Sequence, residues 1–113
     1  MSHLTTHVLD TATGKPAAGI EVKLKVLVGG KSWTPIASGV TNNDGRIPNL
    51  LPDERVLEPS VYKLVFETQE YFERLGSTTF YPFVPVIFEI TDQSHYHVPL
   101  LLSPYGYSTY RGS

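Results

Sequence analysis

Apolar and polar residues alternate along several stretches of the chain, and a period of two is the signature of half-buried strands. Ile20, Val22, Leu24, Val26 and Val28 alternate with Glu21, Lys23 and Lys25. Tyr62, Leu64 and Phe66 repeat the pattern against Lys63 and Glu67, and Val84, Val86, Phe88 and Ile90 do so around Glu89. Two more strands are predicted over 97–102 and 106–111, joined through Ser103-Pro104-Tyr105, and shorter ones over 5–9 and 33–40. Turn residues separate these runs. Thr13-Gly14-Lys15-Pro16 divides the first strand from the second, Gly29-Gly30-Lys31 reads as a hairpin loop, and Asn42-Asn43-Asp44-Gly45 is a strong turn signal. Many short strands with turns between them predict an all-β sandwich or barrel. One segment departs from the pattern. Residues 68–76 predict a single short helix, with Thr68 as N-cap, Gly76 at the C-terminus, and Phe72 and Leu75 on one face.

The length of 113 residues suits one domain spanning 1–113, and 41% hydrophobic content is enough for one core. The apolar runs are far too short for a transmembrane helix. Met1-Ser2-His3-Leu4-Thr5-Thr6-His7 lacks the basic-then-apolar form of a secretory signal, which predicts a cytoplasmic protein. Net charge is −2 and the nine basic residues are scattered, so no nucleic-acid surface is expected. The absence of cysteine removes disulfides, thiolate metal sites and thiol nucleophiles together. Chemistry then falls to His, Ser, Arg, Tyr, Lys and carboxylates.

Histidine exchanges protons nearest neutral pH, which makes the four histidines the first candidates. His3 lies in a segment expected to fray and stand in solvent. His7 shares its strand face with Thr5 and Leu9, so it points outward if Val8 points to the core. In the penultimate strand, Tyr96, Val98, Leu100 and Leu102 form the core face. His97, Pro99 and Leu101 then form an outward face that is unusually apolar, as a covered surface or pocket would be. His95 falls in the preceding loop. His7, His95 and His97 could together approach a metal, but no carboxylate or cysteine motif completes such a site, and none is expected. Arg46 follows the Asn42–Gly45 turn, and its planar fork suits carbonyl or imide oxygens. The closing stretch Tyr105-Gly106-Tyr107-Ser108-Thr109-Tyr110-Arg111-Gly112-Ser113 keeps aromatic and strand-forming residues where polar tails are usual.

Taken together, these residues resemble the transthyretin-like 5-hydroxyisourate hydrolase family of urate breakdown. Leu4-Thr5-Thr6-His7-Val8-Leu9-Asp10 with Thr13-Gly14-Lys15-Pro16-Ala17 is similar to the family's opening block, and Thr41-Asn42-Asn43-Asp44-Gly45-Arg46 to its second. His95-Tyr96-His97-Val98-Pro99-Leu100-Leu101-Leu102-Ser103-Pro104 and Tyr110-Arg111-Gly112-Ser113 resemble the third and fourth. The Gly14-Lys15-Pro16 stretch with an Asp-Gly turn is common in non-enzymatic sandwiches. The final tetrapeptide, combined with both histidines and the arginine, marks the hydrolase. Transthyretin, a carrier, shares the fold without that set.

The resemblance implies a transthyretin-like (prealbumin-like) β-sandwich of two four-stranded sheets with one short helix. It implies a homotetramer, a dimer of dimers, with active sites in the channel between dimers. It implies hydrolysis of 5-hydroxyisourate to 2-oxo-4-hydroxy-4-carboxy-5-ureidoimidazoline without metal or other cofactor, in the cytoplasm or, in a eukaryote, the peroxisome. His7 and His97 would carry the proton transfers, with the choice of base left open, and Arg46 would hold the developing negative charge. Ser113 would orient water or a histidine, Tyr110 would wall the pocket, and Arg111 would hold the terminus or touch substrate. A small-ligand carrier and a structural sandwich module are the competing readings.

Overall fold

Eight strands and one helix are present in the computed structural model, which describes residues 2–113. In chain order they are β1 (Leu4–Asp10), β2 (Lys15–Pro16), β3 (Glu21–Val28), β4 (Ser32–Val40), β5 (Ser60–Phe66), α1 (Thr68–Arg74), β6 (Val84–Ile90), β7 (Tyr96–Ser103) and β8 (Gly106–Thr109). They form two four-stranded sheets, ordered β2-β1-β7-β8 and β4-β3-β5-β6. The predicted strands are all present, with shifted ends. Lys15 and Pro16, predicted as part of a turn, instead pair with Asp10 and Leu9 as the short edge strand β2. The last strand stops at Thr109, two residues early.

Alternation in β1 and β7 decides what faces the core. Leu4, Thr6, Val8 and Asp10 are buried, while Thr5, His7 and Leu9 are half-buried. Tyr96, Val98, Leu100 and Leu102 are buried from β7 and meet Val22, Leu24, Leu64, Phe66, Val84 and Ile90 of the other sheet in one core. Each fully buried aliphatic or aromatic side chain contributes roughly 1.5–3 kcal/mol relative to exposure. The sequence expectation for the opposite face of β7 needs one correction. Pro99 is buried within the chain itself, and only His97 and Leu101 are partly open.

Two local expectations fail for identifiable reasons. Thr68 does not cap α1: it is the first helical residue, fully buried, and its hydroxyl donates to the carbonyl of Tyr81 at 3.3 Å. The backbone of the 81–83 segment does the capping, since Gln69 N–H donates to the Pro82 carbonyl at 3.1 Å. Tyr71 and Phe72, one turn on from Thr68, are buried, whereas Leu75 is 56% exposed. His3 is not solvent-exposed either. It is 6% exposed, its Nε2 sits 3.0 Å from the Asp92 carbonyl, and its Nδ1 sits 3.0 Å from the Leu57 amide. A carbonyl only accepts and an amide N–H only donates, so His3 is the Nε2–H tautomer and staples two loops.

Replacing His3 by alanine strands the Leu57 N–H and the Asp92 carbonyl in a buried place. We expect a loss of about 1–3 kcal/mol for the unpaired donor, read as a lower urea midpoint with an unchanged slope.

Candidate active site

The outward faces of β1 and β7 become a site because two irregular segments dock onto them. At β1, residues 42–46 fold as a tight turn. Asn42 Oδ1 accepts from the amides of Asp44 (2.9 Å) and Arg46 (3.1 Å), and Asn42 N–H donates to the Arg46 carbonyl at 2.7 Å. Gly45 has φ +73°, a left-handed conformation that glycine adopts without penalty. A Cβ there would collide with the Val8 carbonyl and sit 3.2 Å from His7 Cδ2. This close approach lets the Gly45 carbonyl accept from the Val8 amide at 2.9 Å and sets Arg46 opposite His7 in an antiparallel bridge.

At β7 the final residues do the same. Gly112 N–H donates to the His97 carbonyl at 2.7 Å, making a second antiparallel bridge. A Cβ on Gly112 would lie 2.6 Å from His97 Cδ2, so the terminus packs flat against the imidazole. The terminus is therefore docked on β7 at Gly112.

Thr5, Arg46, His95, His97 and Ser113 line one cavity of about 330 Å3. Arg46 and Thr5 also border an adjoining cavity of about 310 Å3 that continues past Asn42 and Ile47. Parallel pairing of β1 with β7 sets Thr5 directly beside His97 and His7 beside Pro99. Thr5 Oγ1 lies 2.8 Å from His97 Nδ1 and 3.1 Å from His95 Nε2, and His95 Nδ1 lies 2.7 Å from the Ser2 carbonyl. The His95 and His97 rings stack with centroids 6.4 Å apart and planes 16° apart. Burial, first, and then the charges of Arg46, His95 and His7 hold His97 below the usual histidine pKa. Its ring is therefore uncharged at neutral pH.

Among the sequence candidates, Arg46, His97 and Ser113 share this cavity, and His7 flanks it through its backbone bridge to Arg46. Tyr110 and Arg111 line a different cavity within the same chain, between β6 and β8, with Val86, Ile87 and Tyr96. The Arg111 guanidinium stacks 4.3 Å from the Tyr96 ring centroid and donates to Ser94 Oγ at 3.3 Å. His95 was read only as a loop residue and as a possible metal ligand beside His7 and His97, and Thr5 was not singled out. The available signal was their spacing: residues 95 and 97 flank one strand position, and the opening block places a hydroxyl two residues before His7. Among the described residues, no group of three or more His, Cys, Asp or Glu is arranged to hold a metal.

Residues 4–112 match the model of the HIUase/Transthyretin family. The chain belongs to that family. It is 48% identical over 114 residues to 5-hydroxyisourate hydrolase of Mus musculus, covering 99% of this chain and 96% of that one. The structure is similar to 5-hydroxyisourate hydrolase of Klebsiella pneumoniae, with TM-score 0.85, 39% identity, and coverage of 99% and 100% of the two chains. It is also similar to transthyretin from Sparus aurata, with TM-score 0.91, 33% identity, and coverage of 99% and 97%. The transthyretin-like sandwich expected from the sequence is thus the fold that is found. The hydrolase of Klebsiella pneumoniae and the transthyretin of Sparus aurata are both similar to it, so the fold by itself does not separate an enzyme from a carrier.

Two outcomes are expected from this geometry. His97 should titrate below the ordinary histidine range in NMR, and Arg46→Gln should move that titration upward by removing a nearby positive charge. Gly112→Ala should displace the His97 ring and lower turnover while leaving the thermal midpoint within a few degrees, because the core is untouched.

Proposed function

We propose that the protein hydrolyses 5-hydroxyisourate, the reaction named for its relatives in Mus musculus and Klebsiella pneumoniae. The observation that carries this reading is the convergence of Arg46, His97, His95 and Ser113 on one cavity. Residues 1–113 act as a single hydrolase domain. Water attacks a ring carbonyl, a carbon–nitrogen bond breaks, and the product is 2-oxo-4-hydroxy-4-carboxy-5-ureidoimidazoline. The chemistry needs a base for water, a cation for the oxyanion and an acid for the leaving nitrogen. The depressed pKa keeps the His97 ring neutral and so free to take a proton, a role worth typically about 10²–10⁴-fold. Arg46, exposed at the mouth, suits the developing negative charge. His7, beside it, supplies the second imidazole, and Ser113 orients water or His97. Neither metal nor another cofactor enters this scheme.

We further propose a homotetramer built as a dimer of dimers. β6 and β8 are both edge strands, and they border the same 460 Å3 cavity, where Ile87 is 60% and Tyr110 58% exposed. Unpaired edges with apolar side chains invite strand pairing with a second copy. Arg111 fixes the end of the chain through Tyr96 and Ser94, and a neighbouring subunit would carry Tyr110 toward the channel. No helix among the described residues is long and apolar enough to cross a membrane, and a cytoplasmic or, in a eukaryote, peroxisomal site of action fits the reaction.

Freshly generated 5-hydroxyisourate should lose its ultraviolet absorbance faster with this protein than in buffer, and equally fast with a chelator present. Decay at the buffer rate would reject the hydrolase reading in favour of a carrier. His97→Ala and Arg46→Ala should each lower turnover by about 10²-fold or more in folded protein. Sedimentation should give about four times the 12.6 kDa chain mass.

A further inference from the structure

The three polar groups behind His97, the Ser2 carbonyl, the His95 ring and the Thr5 hydroxyl, form a chain whose direction is set at one end. The Ser2 carbonyl can only accept, so His95 Nδ1, 2.7 Å away, must carry a hydrogen. In the neutral ring His95 Nε2 is then an acceptor, and the Thr5 hydroxyl 3.1 Å away donates to it. With its single hydrogen committed, Thr5 Oγ1 can only accept from His97 Nδ1 at 2.8 Å. Each link forces the next.

We infer that Thr5 and His95 are positioning residues that lock His97 as the Nδ1–H tautomer, leaving the Nε2 lone pair as the base that takes the proton of water. No described side chain bonds His97 Nε2, and no buried side-chain nitrogen or oxygen in the described residues lacks a partner. An unpartnered Nε2 on a half-buried ring is therefore open to solvent, and the ring borders the cavity. Had Thr5 donated to His97 instead, Nε2 would carry a hydrogen and could not act as a base. The proton taken at Nε2 produces an imidazolium whose Nδ1–H still rests on Thr5, so no rearrangement follows the transfer. His7 has no comparable partner among the described hydrogen bonds. The role of the lone pair rests on the hydrolase reading above, whereas the tautomer itself does not.

Long-range proton–nitrogen NMR at about pH 8, above ordinary histidine pKa values, reads the tautomer without substrate. Wild-type His97 should show a protonated Nδ1 and a bare Nε2. Thr5→Val should shift it toward Nε2–H, and Thr5→Ser should keep the wild-type pattern. His95→Ala, which frees the Thr5 hydrogen to point at His97, should also favour Nε2–H and keeps the test open if Thr5→Val does not fold. Turnover of 5-hydroxyisourate should fall about tenfold or more in kcat, with KM little changed, for Thr5→Val and recover in Thr5→Ser. A wild-type Nε2–H tautomer, or variants that leave the tautomer unmoved, would overturn the inference. A wild-type Nδ1–H tautomer in a protein without hydrolase activity would instead reject the hydrolase reading and leave the locked ring standing.

Discussion

Everything at the site depends on the parallel pairing of β1 with β7. Seven consecutive residue pairs, Leu4 with Tyr96 through Asp10 with Leu102, hold the two strands in one register. Side chains alternate across a sheet, so a slip of β7 by one residue would send Val98 and Leu100 to the surface and His97 into the core. The hydrophobic demand of the core therefore enforces the alignment of Thr5 with His97. A polar arrangement that contributes little to stability is placed by an apolar one that contributes most of it.

Each strand of that pair then receives a loop on the stretch of its outer edge that β2 or β8 leaves unpaired. The Asn42–Arg46 turn reaches β1 and the terminal Gly112-Ser113 reaches β7, and both arrive through main-chain hydrogen bonds at glycines. Backbone docking at those points fixes Arg46 and Ser113 relative to the imidazoles more firmly than side-chain contacts alone would. Arg46, His95, His97 and Ser113 line the cavity, and burial first, then the neighbouring positive charges, hold His97 below the usual histidine pKa.

Much of this was legible in the residues. Period-two alternation found the long strands because a half-buried sheet must show it, and it placed His7 and His97 on the outward face. It missed β2, because two exposed residues carry no pattern. It gave Thr68 the wrong role because the carbonyl that caps α1 comes from Pro82, which only tertiary contact brings near. His3 looked like frayed terminus, yet its partners are 54 and 89 positions away. The resemblance to a family brought Arg46 and Ser113 to the site, and local spacing alone would not have. Tyr110 and Arg111 sit elsewhere in the single chain because β8 ends at Thr109 and the backbone leaves the ladder before Gly112 returns to His97. Thr5 and His95 were given no part in orienting His97, because a hydroxyl and a loop histidine gain that meaning only when the register joins them.

The same register governs when the site can exist at all. Its two halves lie about ninety positions apart, on the first strand and the seventh, and no shorter loop joins them. Closing so long a loop is entropically slow, and topologies dominated by such contacts fold slowly. As the chain emerges, β3 can pair with β4 and with β5, and β5 with β6, while β1 still waits for β7. Until β7 emerges, Leu4, Val8 and the open edge of β1 stay uncovered, which is the condition under which nascent chains aggregate. The pairing of Thr5 with His97 and escape from that hazard arrive in one late step.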